Sequence, residues 1–326
     1  MPLLCGGAIP PRVYLPSYCS QSPFKSLCTS LHVMPFVRQI FEIKEPIKAW
    51  KFVANILHCS VQKAQSHIDR GRLQALDQSP LKKSQKIQGL IALTFFKALP
   101  SALHKPFFST PFFQAYYKPK NLYSHPKNYH SFSLYESVYS HNQEARLIHR
   151  LDYETSGIIL VSQNKEHEKN LRALFSNHQI IKTYTALVQG DMHNYASGDF
   201  SIILPILEPS NLRGDLGVRS QIHKQGKFSA TTIKILCFDA FNNQTLLQIS
   251  PLTGRTHQIR LHLSALGFPI VGEPLYTKDS NARAYLNAKK ADFKGSYAPF
   301  KPHLALEASG LDFTLYHLRY CLRLSS

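Results

Sequence analysis

The shortages in this sequence narrow the field first. Six cysteines (Cys5, Cys19, Cys28, Cys59, Cys237 and Cys321) are scattered through 326 residues and never stand as Cys-x-x-Cys. That excludes a zinc knuckle and a thioredoxin-like redox site, and in so long a chain it reads as free thiols of a reducing, cytoplasmic setting. The absence of Cys-x-x-Cys also excludes a zinc-dependent base deaminase. No Gly-x-Gly or P-loop occurs, which argues against a nucleotide-dependent enzyme, RNA methyltransferases included. No run approaches the roughly 18 unbroken apolar residues of a membrane span. Acids are the sharpest shortage, 20 Asp and Glu against 38 Lys and Arg, for a net charge of +18. Residues 1–110 hold 14 basic and 4 acidic side chains. A surface this basic releases counterions from a polyanion and favours nucleic acid as the partner.

What is present is ample for a core. Hydrophobic residues make up 44% of the chain, and the length suits about two domains of roughly 150 residues each. Residues 1–33 contain no Asp or Glu and show neither helix nor strand period. They lack the basic start and apolar stretch of a secretory signal. With Arg12 and Lys25 as their only Lys or Arg, they suit a transit peptide poorly, and Met34 is the better start for the folded chain. The N-terminal extension is taken to 1–45, without structure to about residue 33.

Residues 46–97 read as a small basic unit with 9 basic and 2 acidic side chains. Phe52, Val53, Ile56 and Leu57 fall on one helix face. Ser60 is placed to cap a second helix, along which Val61, Ala64 and Ile68 repeat, and Gly71 stops it. Leu90 to Leu93 reads as a strand. Lys63, Arg70 and Arg72 project from the second helix and its turn. Residues 98–111, broken by Pro100, Pro106 and Pro111, read as a linker. From 112 to 326 strands and helices alternate. Gly157–Val161 is a buried strand, 165–178 a helix, and 181–188, 231–238 and 244–249 strands. Residues 255–266 read as a helix with Ile259, Leu263 and Leu266 on one face and Gly267 as its stop.

Two segments carry too many chemical side chains for plain scaffold. One is His149-Arg150-Leu151-Asp152-Tyr153-Glu154-Thr155-Ser156-Gly157, a polar loop feeding a buried strand. The other runs from Gly254-Arg255-Thr256-His257 through Gln258-Ile259-Arg260 to His262. If Arg255 opens a helix, the positive end of the macrodipole disfavours it, so it needs an anion. Asp152 is one such anion, and the expectation is a functional Asp152–Arg255 pair, against the plainer alternatives of a turn cap and a surface cation.

His-Arg-Leu-Asp-x-x-Thr-Ser-Gly before an apolar strand resembles the signature of the RluA-type pseudouridine synthases, with seven specified positions matched. Gly254 to Arg260 with His262, Gly267, Pro269-Ile270 and Gly272 resembles that family's second signature. Lys118-Pro119 with His125-Pro126, Lys182-Thr183-Tyr184 with Ala186 to Gly190, and Gly226-Lys227 with Ala230-Thr231 follow in the right order. The resemblance covers about residues 112–310. Ser60 to Leu73, with Gly89-Leu90-Ile91, resembles the RNA-binding domain named after ribosomal small-subunit protein four. Three positions depart from the larger family's pattern: Glu273, Pro274 and Glu307. All three are expected to lie away from Asp152.

The resemblance implies an α+β fold: a mixed, mainly antiparallel central sheet flanked by helices, preceded by the small RNA-binding domain. It implies isomerisation of uridine in RNA to pseudouridine, with no cofactor and no metal. Asp152 would be the catalytic carboxylate, attacking carbon-1′ of the sugar or removing its 2′ proton. Arg255 would keep it ionised, and Tyr184 would stack on the uracil, where an ordinary strand Tyr is the bland alternative. Arg150 would fill the gap left by the displaced base or touch a phosphate, and Lys63, Arg70 and Arg72 would meet RNA phosphates. The expected partner is RNA, ribosomal RNA of the large subunit ahead of transfer RNA, with the protein a monomer and no membrane involved. The rival reading is a non-catalytic RNA-binding or ribosome-assembly factor, against which the retained Asp152 argues.

Overall fold

The structure, a computed structural model, describes residues 36–96, 104–126, 132–209, 216–293 and 303–324, with no side chains described for 290–293. The expectation for residues 1–33 therefore lies outside the described residues. The chain divides into two compact units.

The smaller unit is a three-stranded sheet carrying two helices. Strand β1 (Phe36–Lys48) leads into α1 (Ala49–Leu57) and α2 (Val61–Asp69), followed by β2 (Leu73–Ala75) and β3 (Lys86–Phe96). The order in the sheet is β1-β3-β2, antiparallel throughout. The Ser60 side chain accepts from the Lys63 amide (3.4 Å), and Gly71 takes φ +68 just past the C-cap. Both are helix boundaries legible in the sequence. Phe52, Val53, Ala64 and Ile68 pack with Leu73, Ile87, Ile91 and Leu93, whereas Ile56 and Val61 face outward. Phe36–Lys48, assigned to the extension as far as residue 45, is instead the longest strand of this sheet. Of its thirteen residues only Ile43 is buried, so no apolar alternation announces it.

The larger unit is built on a ten-stranded sheet. Its elements are β4 (Pro106–Ser109), β5 (Phe113–Lys118), α3 (Leu134–His141), β6 (Arg146–Leu147), β7 (Ser156–Ser162), α4 (Lys165–Ser176), β8 (Ile181–Gln189), β9 (Phe200–Ile203), β10 (Ile206–Leu207), β11 (Gln221–Ile222), β12 (Ala230–Asp239), β13 (Gln244–Pro251), α5 (Gln258–Ala265), α6 (Asp279–Phe293), β14 (Leu306–Leu315) and β15 (Leu318–Arg323). Strand β4 lies in the stretch expected to be linker; it pairs with β5 at the sheet's edge, where Pro106 is tolerated. The order is β4-β5-β7-β14-β8-β13-β12-β9, with β15 on β14 and β6 on β7; β10 and β11 form a separate hairpin. Every pairing is antiparallel except β7 with β14.

All seven residues of β7 are buried, because both faces of the sheet are covered there. Ile158 and Leu160 meet Leu171 of α4, and Ile159 and Val161 meet Leu134 and Val138 of α3. Burying each such side chain contributes about 1.5–3 kcal/mol before chain entropy is set against it. Gly157 sets how closely β14 approaches: at φ +126, a Cβ there would lie 2.4 Å from the Ala308 carbonyl oxygen. Further along the sheet, Ile259 and Leu263 of α5 seat on Ala186, Val188, Leu247 and Ile249. The sheet thus holds the start of β7, which follows the Asp152 loop, one strand away from β8, with β14 between them. No described helix is long and apolar enough to cross a membrane.

Candidate active site

The loop before β7 and the turn before α5 open onto one cleft of about 390 Å³. Its lining includes Asp152, Tyr184, Arg150, Arg255, Lys182 and Arg260. Asp152 is its sole acid among the described residues, against four Lys or Arg. Such a cleft attracts a polyanion and offers it one carboxylate.

The loop is fixed from below. The Thr155 amide donates to the Asp152 carbonyl (3.2 Å). Leu151 N donates to Ser124 Oγ (3.0 Å), and Ser124 Oγ donates to the Leu151 carbonyl (2.9 Å). His149 supports the loop: its Nε2 accepts from Leu160 N (3.0 Å), and burial, helped by the Lys182 charge, pushes it down to about 3. Lys118, fully buried, donates to the carbonyls of Pro119 (2.9 Å), Leu122 (2.8 Å) and Tyr153 (3.3 Å). Burial pushes it down to about 7, while the Asp152 and Glu154 charges pull the other way. Three carbonyl acceptors match the three N–H groups of an ammonium, so its lost hydration is replaced in kind.

The guanidinium beside Asp152 is not that of Arg255. Arg255 does not open the helix, which starts three residues later at Gln258. Between them His257 takes φ +57, and its Nδ1 lies 2.9 Å from the Tyr276 hydroxyl. Gln258 locks this turn: its Oε1 accepts from Arg255 N (3.0 Å) and Thr253 Oγ1 (2.7 Å), and its Nε2 donates to the Ala230 carbonyl (2.9 Å). The Arg255 side chain stays at the cleft wall, half-buried, with Nε donating to the Phe228 carbonyl (3.3 Å). The ion pair to Asp152 comes from Arg260, whose Nη1 is 3.7 Å from Oδ2. Arg260 is the third residue of α5, so the argument that a cation at a helix start needs anions applies to it.

Arg260 is 1% exposed and donates three hydrogen bonds to buried carboxylates. Nε and Nη2 donate to the two oxygens of Glu273, both at 2.7 Å, and Nη1 donates to Glu154 Oε2 (3.0 Å). Glu273 also accepts from Leu275 N (2.8 Å) and Tyr276 N (3.2 Å). Glu273 is therefore tied to the site, contrary to the expectation for it. Its longer side chain reaches both guanidinium edges from the turn. Glu307 is near the loop as well, accepting from Ser156 Oγ (3.1 Å) and the Tyr117 hydroxyl (3.0 Å). Burial alone would raise the Glu154 carboxyl, but Arg260 and Lys289, with hydrogen bonds from Lys289 and Tyr285, outweigh it and hold it well below the ordinary range. Glu154 is thus spent on structure, and Asp152, 23% exposed at its side chain, is the carboxylate free to meet a substrate.

Tyr184 lines the cleft from β8, packed among Ala186, Ile249 and their neighbours. Burial, then the Asp152 charge, raises its phenol far above the usual range, so the ring faces the cleft neutral. Lys182 donates to the Thr253 carbonyl (3.1 Å), and burial pushes it down to about 8. Arg150 is exposed at the cleft. His262 is structural, with its ring nitrogens 3.0 Å from Thr231 Oγ1 and 3.2 Å from the Leu204 carbonyl. Lys63 and Arg70 are exposed on the smaller unit, and Arg72 lies 5.0 Å over the Phe36 ring. Burial, then the charges of Arg72, Lys63 and Arg70, pushes His67 down to about 4.

Sequence reading missed Arg260, Glu154, Tyr285 and Lys289. For Arg260 a signal was available: a cation directly after Ile259 on a helix that turns Ile259 and Leu263 inward.

The family model described as RNA pseudouridylate synthase matches residues 113–265. A protein of Helicobacter pylori (strain J99), described as an uncharacterized RNA pseudouridine synthase, is 42% identical over 88% of this chain and 94% of its own. The ribosomal large subunit pseudouridine synthase C of Vibrio vulnificus is 33% identical over 49% of this chain and 48% of its own. Among solved structures, human RNA pseudouridylate synthase domain containing 1 shares the fold, with a TM-score of 0.52 and 23% identity over 69% of this chain and 85% of its own. Matched nearly end to end by such a relative, the chain belongs to the RNA pseudouridylate synthase family and is an RNA pseudouridine synthase.

Proposed function

We propose that Asp152 is the catalytic carboxylate of this synthase, that Tyr184 stacks on the uracil, and that the preferred substrate is large-subunit ribosomal RNA. The observation that carries the reading is the cleft itself: one free carboxylate, paired at 3.7 Å with a buried guanidinium, amid cations suited to a polyanion. The reaction breaks the bond from uracil nitrogen-1 to carbon-1′ and joins carbon-5 to the same carbon. Carbon-5 gives up its proton and nitrogen-1 ends protonated, so the product is an isomer. Asp152 serves either as nucleophile at carbon-1′ or as base at the 2′ position, and both roles need its ionised form. The Arg260 charge favours that form. Tyr184 offers a neutral ring to hold the detached base while it turns. Arg150 meets a phosphate or takes the place of the displaced base, while Arg255 and Lys182 engage the flanking backbone.

Large-subunit ribosomal RNA is favoured by the name of the Vibrio relative and by the cations of the smaller unit, Lys63, Arg70 and Arg72. We read that unit as the RNA-binding module and place the enzyme in the cytoplasm as a monomer, a compartment whose reducing conditions suit scattered, unbridged cysteines. The test is pseudouridine mapping of total RNA from cells with the protein, without it, and with Asp152→Asn. Asn has nearly the same volume and is as good a turn cap, so only a chemical role makes the change costly. A ribosomal position should lose its pseudouridine in both altered strains. Loss from transfer RNA alone would overturn the substrate, and full modification with Asp152→Asn would overturn the catalytic assignment.

A further inference from the structure

The Arg260 guanidinium faces three carboxylates. It holds Glu273 by two bonds at 2.7 Å and Glu154 by one at 3.0 Å, and it reaches Asp152 only at 3.7 Å. Asp152 is the partner held least tightly, so its share of Arg260 depends on how the other two are satisfied. Glu154 has its oxygens divided: Oε2 faces Arg260, while Oε1 accepts from Lys289 Nζ (2.8 Å) and from the Tyr285 hydroxyl. Tyr285 and Lys289 stand four residues apart on α6, on one face, and Lys289 Nζ is 3.0 Å from the Tyr285 hydroxyl. The same ammonium lies 4.0 Å over the ring of Tyr153, the residue between Asp152 and Glu154. It therefore grips the catalytic loop twice.

We propose that Lys289 of α6 is a positioning residue for catalysis: by holding Glu154 and Tyr153 it keeps Arg260 available to Asp152. This rests on Asp152 being the catalytic carboxylate. Without the ammonium, a Glu154 that is only 3% exposed keeps its charge with one cation fewer to balance it. It then draws more of Arg260, the longest contact, that to Asp152, weakens first, and the loop loses its hold at Tyr153. Lys289 itself is 17% exposed at its side chain, and Met keeps most of its aliphatic stem while removing the charge.

The alternative is an ion pair that merely fastens α6, and rate separates the two. The assay is tritium release from bulk RNA, ribosomal and transfer together, taken from cells lacking the enzyme and labelled at uracil carbon-5. It is run as a single turnover across enzyme concentrations. Lys289→Met should lower the saturating rate about 10- to 100-fold, since a misplacement of about 1 Å can cost about 100-fold, and leave the half-saturating concentration within about twofold. Lys289→Arg, which restores a cation for Glu154, should regain most of the rate. A Lys289→Met enzyme with the wild-type rate, whatever its unfolding temperature, would overturn the proposal, as would a loss confined to half-saturation. Should Lys289→Met not fold, Lys289→Gln takes its place: a wild-type rate there overturns the proposal, and a slowed rate with normal half-saturation supports it. Asp152→Asn run alongside keeps the two readings apart: undiminished release there refutes the Asp152 assignment and not the ionic arrangement around Lys289.

Discussion

Replacing Arg260 by Met tests the central claim about how the site is held. Met reproduces the aliphatic stem of the arginine, while the guanidinium charge and its three short hydrogen bonds disappear. Glu154 and Glu273 remain, 3% and 1% exposed at their side chains. Breaking a buried ion pair from one side costs about 3–5 kcal/mol, because the orphaned charge has no water to turn to. In a unit of some 200 residues, each kcal/mol moves the unfolding midpoint by about 2–4 °C, so the larger unit should melt roughly 6–20 °C lower at pH 7.5. The loss should depend on pH with a definite sign. In the native protein the Glu154 carboxyl is held below its ordinary value, so its pairing contributes stability above the unfolded value of about 4.3 and loses it as pH falls through the folded one. In the variant burial is no longer opposed by Arg260, the carboxyl takes up a proton more readily, and the deficit against wild type should shrink as pH is lowered from 7.5 towards 5. Arg255→Met, at the cleft wall with one long bond to a carbonyl, should stay within about 0.5 kcal/mol of wild type. The measurement is thermal unfolding followed by near-ultraviolet circular dichroism at several pH values. An Arg260→Met midpoint within 2 °C of wild type, or an Arg255→Met that melts lower than Arg260→Met, would refute the assignment of the buried guanidinium.

Two further outcomes follow from the same geometry. Tyr184→Phe keeps the ring and should retain at least about a tenth of the single-turnover rate, whereas Tyr184→Ala should lose about 100-fold or more; equal losses would assign the chemistry to the hydroxyl instead of the ring. Changing Lys63, Arg70 and Arg72 together to Gln should weaken RNA binding at low salt and reduce the slope of log affinity against log salt by about 2, at roughly 0.7 per contact to single-stranded RNA. An unchanged slope in a filter-binding titration would remove the smaller unit from the interface.

How much of this was legible in the sequence depends on whether the signal was local. Strand β7 declares itself, because a run buried on both faces must be apolar throughout, and Ser60 and Gly71 mark the ends of α2 by their own chemistry. The loop carrying Asp152 is legible for the same reason: its residues are contiguous. Strand β1 was not, since it buries a single residue and gains its place through the ladder it forms with β3. Helix α6 was not either. Its inward face is Ala282, Tyr285 and Lys289, and a lysine is an inward residue only when a buried carboxylate from another part of the chain waits for it. The Arg255 error has the most specific cause. Charge and position alone do not separate Arg255 from Arg260 as the partner of Asp152. What decides between them is the left-handed backbone at His257, which delays the helix by three residues and turns Arg260 inward. A non-glycine residue adopts that conformation only when its surroundings insist. Here they are the Gln258 amide bridging Arg255, Thr253 and Ala230, and the Tyr276 hydroxyl on the His257 ring. Two of those partners, Ala230 and Tyr276, come from other segments, so which arginine lies beside Asp152 is a property of the assembled fold and not of the motif alone.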